Sequence, residues 1–362
     1  MRGPSDRQSV MLAIFTPEDA IPADHPIRQV KVIVDRMLGR LSTTFSAMYS
    51  EVGRRSLPPE HLLKASVLMA LFSVPSERRF CERLQYDLLF KWFLDLNIGD
   101  PAFDQSTFSK NRERLLKHDV AERFFTEVLG EIERLKLRSD DHFTVDGTLL
   151  EAWASLKSLQ PRPKDGTPPQ PPAGGGRNPS VDWKGQKRSN TTHVSTTDPD
   201  ARLATKGKHQ TTKLCFTGHL LTENRNGLIV GVTLTQSTGT AEQEAALALL
   251  GALPEGPRLT VGADKGYDTA DFVQACRAMN ITPHVAAKDK GSALDGRTTR
   301  HAGYATSQRR RKLVEEVFGW MKTVALSRKL RYIGQAKNRF WFTLLAASYN
   351  IVRLTNLAKA NA

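Results

Sequence analysis

Cysteine is scarce: Cys81, Cys215 and Cys276 are the only three in 362 residues, far apart and never at CxxC spacing. That argues against a disulfide framework and a structural zinc site and for a reducing cytoplasm, with each thiol a buried apolar filler. No stretch is apolar enough to span a membrane. The most apolar late segment, Phe340 to Leu357, carries Asn350, Arg353 and Asn356 and reads as a packed helix. The opening MRGPSDRQSVML has too short an apolar run for a signal peptide. HExxH, GxxxxGKS/T and GxSxG are all missing, so zinc proteases, nucleotide-driven motors and α/β-hydrolases lack their usual marks. None of the nine histidines is paired at ligand spacing; His142 and His284 read as strand residues and the others as surface or loop.

What the chain has in excess is positive charge. Lys plus Arg number 52 against 38 Asp plus Glu, a net +14. Such an excess favours a polyanionic partner, nucleic acid or an anionic membrane surface, although a ribosome-associated or merely basic protein fits the charge as well.

Residues up to about 137 read as helices. Asp24 is placed to cap a run with Ile27, Val30, Val34 and Leu38 on one face. Ser56 with Pro58 and Pro59 opens a helix through Leu71, and Ser76 to Leu96 reads as a third. Asp104 caps DQSTFSKNRERLL, and Asp119 starts a helix with Val120, Phe124, Val128 and Ile132 on one face. Such a bundle suits DNA binding or oligomerisation, and equally a structural role.

The period then changes. His142 to Asp146 reads as a strand ending at Asp146. An insertion at about 157–208 follows, with seven prolines and four glycines between Gln160 and Ser180, and is expected to be flexible. Strands at Lys213–Leu221 and Leu228–Thr235 are joined through Asn226-Gly227, a hairpin signal. Thr240-Ala-Glu-Gln243 has the form of a capping box. A strand at Arg258–Ala263 ends at Asp264; a helix at Thr269–Asn280 and a strand at Thr282–Ala286 come next, and helices follow from Arg309 to about Thr323 and from Lys337 to about Leu357. This order predicts an α+β chain: a helical N-terminal domain over 1–137, then an RNase H-like mixed-sheet core over 138–362. Its first three strands are antiparallel and its later ones parallel, with helices on both faces.

Asp146 and Asp264 each follow a hydrophobic strand and precede a glycine turn (VDGT, ADKGYD). Ligand sites of open sheets cluster at the carboxyl ends of strands, although a single Asp there is more often a turn or cap residue. In RRRKLVEEVFGWMKTV, Arg311, Glu315 and Lys322 fall within about 40° of one another on a helical wheel, opposite the arc of Val314, Val317, Phe318 and Met321. That stripe suits a metal ligand beside a phosphate, or a solvated charge stripe; Glu316 lies about 100° away and periodicity does not exclude it. Three carboxylates so placed suit hard divalent cations, Mg²⁺ or Mn²⁺. From Arg297 to Arg339 twelve Lys/Arg stand against Glu315 and Glu316, a run expected to form a phosphate track.

The segments FTVDGT, STTDPDARL, STGTAEQEAAL, GADKGYD and RRRKLVEEVFGWMKT, in this order, resemble the DDE transposases of bacterial insertion sequences, closest to the insertion-sequence-four/five superfamily. DQSTFSKNRERL resembles the N-terminal helical domain of that group. The resemblance implies a catalytic triad of Asp146, Asp264 and Glu315 binding two metal ions, with Arg311 and Lys322 on DNA phosphates and Arg309 and Arg310 beside them. The spacing tyrosine, two residues, arginine, three, glutamate, six, lysine is met by Arg311, Glu315 and Lys322 and favours Glu315 over Glu316, but the tyrosine position holds Gln308, and Tyr304 is out of register. It further implies double-stranded DNA (element ends and target) as partner, a homo-oligomer in the synaptic complex, and work at the nucleoid in the bacterial cytoplasm. The competing readings are a structure-selective RNase H-like nuclease that does not join strands, and a DNA-binding descendant of a transposase that has lost its chemistry.

Overall fold

A computed structural model describes residues 15–50, 52, 56–162, 188–207, 210–254 and 256–360. Seven helices come first: α1 (Ile27–Arg40), α2 (Ser42–Ala47), α3 (Pro59–Leu71), α4 (Glu77–Leu84), α5 (Leu88–Phe93), α6 (Gln105–Lys117) and α7 (Val120–Arg134). Proline in the first turn of α3 costs nothing, because the N–H it lacks has no partner there. Asp104 caps α6 by accepting from Ser106 N–H at 2.7 Å. Two expected starts differ. The Ile27 N–H goes to His25 Nδ1 at 3.1 Å rather than to Asp24, and Asp119 sits in the left-handed region (φ 49) without capping α7. The helix expected over Ser76–Leu96 is two helices, since Asp87 turns the chain and accepts from Phe90 N–H at 3.1 Å, starting α5 afresh.

The remaining elements are β1 (His142–Glu151), β2 (Leu159–Pro161), β3 (His193–Ser195), β4 (Arg202–Ala204), β5 (Lys213–Glu223), β6 (Ile229–Gln236), α8 (Ala241–Gly251), β7 (Leu259–Ala263), α9 (Ala270–Ala278), β8 (Ile281–Val285), α10 (Gly296–Thr299), α11 (Ala302–Arg310), α12 (Leu313–Thr323) and α13 (Gln335–Ala360). In the main sheet the strands lie in the order β6-β5-β1-β7-β8, with β4 along the same edge of β5 as β6. The β6–β5–β1 pairs are antiparallel; β1–β7 and β7–β8 are parallel. Three antiparallel strands continued by two parallel ones is the RNase H-like arrangement that the element order predicts. Gly227 (φ 69) makes the expected hairpin turn between β5 and β6. The Pro/Gly-rich centre of the insertion, 163–187, lies outside the described residues. Its flanks are built: β2 pairs with β3, and β4 joins the main sheet.

Alternation along the strands sends Phe143, Val145, Val261 and Ala263 to one face, into a core with Phe272 and Ala246 under α8 and α9. The other face carries α11 to α13. α13 packs on β6 with one side and on α1, α3 and α7 with the other, so helices and sheet share it. Among the described residues no helix is long and apolar enough to cross a membrane. The polar groups within α13 serve the sheet edge: Asn350 accepts from Ile229 N–H at 2.9 Å and donates to Ile229 C=O at 2.7 Å, and Arg353 donates to Asn226 C=O at 2.6 Å. At Gly218 of β5 an added Cβ would stand 2.6 Å from Phe342 Cζ, so only glycine admits the ring there. Cys215 and Cys276 are buried as expected; the histidine reading misses His219, which is buried within β5.

Candidate active site

The β1–β7 ladder ends at Thr144↔Gly262, whereas β1 stays paired with β5 as far as Glu151↔Cys215. Asp146 therefore does not end its strand. It stands where β7 parts from β1, because β7 stops at Ala263 and turns at Asp264, whose Oδ1 accepts from Gly266 N–H at 2.7 Å. Asp146 Oδ1 likewise accepts from Gly147 N–H at 2.8 Å. The two aspartates predicted as partners thus face one fork in the sheet.

A third acid enters from α8. The capping box predicted at Thr240–Gln243 does not form, as the Thr240 side chain caps nothing. Gln243 instead donates to Gly266 C=O at 2.9 Å and accepts from Thr269 Oγ1 at 3.3 Å, tying α8 to the turn after β7. That tie brings Glu242 onto Gly147, where an added Cβ would lie 3.1 Å from Glu242 Oε1. Burial, and then the Asp264 and Glu242 carboxylates, push Asp146 up to about 7, against the opposing pull of the Gly147 N–H and of Arg311. Burial and Asp264 also raise Glu242. Glu242 escaped the sequence reading because TAEQ carries a local explanation, capping, that hides the tertiary one.

The segment expected as one helix from Arg309 is two, joined by a tight turn at Arg311 and Lys312 in which Glu315 N–H bonds Lys312 C=O at 3.0 Å. Arg311 lies over Gly262, where an added Cβ would come within 3.2 Å of its Cβ, and its charge reaches Asp146. Gln308, at the position the resemblance assigns to tyrosine, accepts from Arg311 Nε at 3.0 Å and donates to His284 C=O, so it orients the guanidinium. Tyr304 is held elsewhere, donating to Val285 C=O at 2.8 Å. Lys322 donates to Thr148 Oγ1, two residues along β1 from Asp146. Burial, Lys206 and Arg328 lower Lys322, and Asp146 opposes them.

Arg311 and Lys322 thus both act on Asp146, whereas Glu315 is exposed in the first turn of α12, where a carboxylate suits the helix dipole. The break at Arg311 and Lys312 interrupts the expected stripe, and no hydrogen bond or ion pair among the described residues brings Glu315 to the two aspartates. Burial raises Tyr349 of α13, Arg353 opposes this, and Glu316 adds to it, so Glu316 lies near α13. Arg309 and Arg310 are exposed, with Arg310 near enough to His142 to help burial lower that imidazole. The basic run is not one continuous track. Arg331 stacks on Trp341 at 3.9 Å, Lys337 pairs with Glu113 at 2.6 Å and Arg339 with Glu122 at 3.6 Å, all toward the N-terminal helices.

Three acids at one fork, one of them pushed to about 7, form a donor set that a hard divalent cation would neutralise. Among the described residues no three His, Cys, Asp or Glu are gathered tightly enough to hold an ion by themselves. Mg²⁺ commonly takes only one or two carboxylates and completes its shell with water and substrate phosphate.

The sequence matches two families: a transposase domain (DUF772) over residues 15–114 and a transposase DDE domain over residues 180–351. The chain belongs to the DDE transposases. Such an enzyme cuts DNA and transfers the strand. The second match starts after Asp146 and does not include that residue. A comparison with curated proteins finds no match. Among solved structures, the transposase is similar to a piggyBac transposase synaptic complex with hairpin DNA (10% identity, 93% of this chain and 76% of that one, TM-score 0.43). It is also similar to a Mos1 strand transfer complex (11%, 86% and 81%, TM-score 0.20) and to a Mos1 paired-end complex with the left transposon end (12%, 88% and 87%, TM-score 0.20). Likeness at that level adds nothing to the strand order and the family matches.

Proposed function

We propose that this transposase mobilises an insertion sequence of the four/five superfamily, with Asp146, Asp264 and Glu315 as its catalytic acids. The helical segment over 1–137 serves DNA binding or oligomerisation and 138–362 forms the catalytic domain. The observation that carries the reading is Asp146 at the β1–β7 fork, pushed to about 7 by burial and by two neighbouring carboxylates, with Arg311 and Lys322 on either side of it. Two Mg²⁺ or Mn²⁺ ions bound there would activate the attacking water or 3′-hydroxyl and stabilise the leaving oxygen. The chain's own residues hold the DNA: Arg311 and Lys322 grip the phosphates flanking the scissile one, and Arg309 and Arg310 continue the contact along the backbone. Its partners are double-stranded element ends and target DNA at the bacterial nucleoid, joined by a second copy of the chain in the synaptic complex.

The test is a joining assay on a plasmid that carries the DNA flanking the coding region. Mg²⁺-dependent cleavage at the element boundary followed by joined products is the expected result; cleavage without any joined product would make the chain a nuclease. On duplex DNA, Arg311→Ala and Lys322→Ala are each expected to make the slope of log affinity against log salt shallower by about one unit, since one phosphate contact contributes roughly −0.9. Unchanged slopes with full joining activity would make both residues solvated surface charges.

A further inference from the structure

Tyr267 lies in the turn after Asp264 and is 1% exposed, among Phe143, Val145 and Phe272. Its ring packs on Phe272 with centroids 5.2 Å apart, as a phenylalanine would. Its hydroxyl is buried and has no hydrogen-bond partner among the described residues, a state that costs free energy because water has been lost and nothing replaces it. A phenol kept at that cost in an apolar position has a use for its oxygen. Burial raises the phenol, and Glu242, Asp146 and Asp264, in that order, raise it further, so Tyr267 lies beside the fork. Glu242 is held there from two sides. Gln243 binds the Asp264 turn, and the absence of a side chain at Gly147 admits the carboxylate within 3.1 Å of an added Cβ.

We propose that Glu242 is a fourth acid of the catalytic centre, its carboxylate giving an oxygen to the divalent cation held by Asp146 and Asp264, with the Tyr267 hydroxyl, unpartnered in the chain alone, donating to that carboxylate once the cation draws it in and so fixing its direction. This rests on the reading of Asp146 and Asp264 as metal-binding acids. Glu242 comes from α8, on the opposite face of the sheet from α12, which carries Glu315. Glu242 would then be a catalytic residue and Tyr267 a positioning residue. An outer donor that orients a metal-binding carboxylate typically contributes 10- to 100-fold in metal affinity.

Titration of the full-length protein with Mn²⁺ alone tests this, together with thermal melting with and without Mn²⁺. Glu242→Gln is expected to weaken Mn²⁺ binding about tenfold or more, and Tyr267→Phe severalfold to about tenfold. Without metal, Glu242→Gln should melt no lower than wild type, because the amide fills the same space and removes a repelling charge. The melting shift induced by Mn²⁺ should shrink in both variants, and Glu242→Asp should recover part of it. Unchanged Mn²⁺ affinity in Glu242→Gln, with Asp264→Asn losing it, would overturn the proposal and leave the triad standing. A lower metal-free melting point with an unchanged Mn²⁺ shift would make Glu242 and Tyr267 structural, which also overturns it. Wild-type Mn²⁺ affinity in Asp264→Asn would overturn the reading on which the proposal rests.

Discussion

Asp146→Asn and Asp264→Asn are expected to bind element-end DNA like wild type and to cut it, in Mg²⁺, more than about a thousandfold more slowly. Each change keeps the shape of the side chain and removes one anionic oxygen donor from the fork. Stabilisation of charge in the transition state by a bound cation is worth several kcal/mol, and each 1.36 kcal/mol is a factor of ten in rate. Binding is expected to survive because the proposed phosphate contacts are those of Arg311, Lys322 and their neighbours, and loss of a carboxylate lowers repulsion toward DNA. Glu315→Gln should fail in the same way. Glu316→Gln should cut normally, because the spacing from Arg311 and to Lys322 singles out Glu315, and Glu316 lies near Tyr349 of α13. Single-turnover nicking beside a mobility-shift measurement of end binding separates the two effects. Near-normal cleavage by either aspartate variant would sink the assignment, and a dead Glu316→Gln beside an active Glu315→Gln would move the third acid by one residue.

The second large effect concerns stability. Glu131 of α7 has a side chain only 2% exposed and receives three arginines: Arg36 and Arg40 from α1, and Arg134 from its own helix. Arg40 Nη2 lies 3.1 Å away and Arg134 Nε 3.1 Å. The bond from Arg134 and the nearby Arg36 charge, against the cost of burial, hold the Glu131 carboxyl down at about 2, from a usual 4.5. A depressed carboxyl stabilises the fold above its unfolded value and loses that contribution as the pH falls through the folded one. The contribution, on the order of 3 kcal/mol, is therefore complete above about pH 5 and fades toward pH 2. Glu131→Gln is expected to cost about 2–3 kcal/mol at pH 7, below the usual loss for a broken buried pair because the half-exposed arginines rehydrate. The variant should also lose less stability than wild type between pH 5 and pH 3, read from urea midpoints. Parallel pH curves for the two proteins would show that Glu131 stays ionised for other reasons or contributes little.

The order of elements was legible in the sequence because period-2 and period-3.6 patterns report local burial, and the Asn226-Gly227 turn and the Asp104 cap are chemistry within a few residues. Where local signals misled, a tertiary contact had taken the group over. Gln243 leaves its capping box for the turn after Asp264, and Arg331, Lys337 and Arg339 leave the basic run for Trp341, Glu113 and Glu122. The helix break at Asp87 was written in the chain, but the apolar spacing across it continued and masked the cap.

The sequence by itself determined that a basic chain of helices precedes a mixed sheet, that two aspartates each follow an apolar run and precede a glycine, and that Arg311, Glu315 and Lys322 keep a fixed spacing. Each of those is a property of neighbouring residues. Only the tertiary structure decided that Asp146 lies within its strand rather than at the end. It likewise decided that Glu242 comes beside the two aspartates and that Tyr267 is buried near them with an unpartnered hydroxyl. The physical reason is distance along the chain. Asp146, Glu242 and Asp264 are brought together by where the β1–β7 ladder stops and by how α8 crosses it, and no periodicity in the sequence encodes the meeting of side chains about a hundred residues apart.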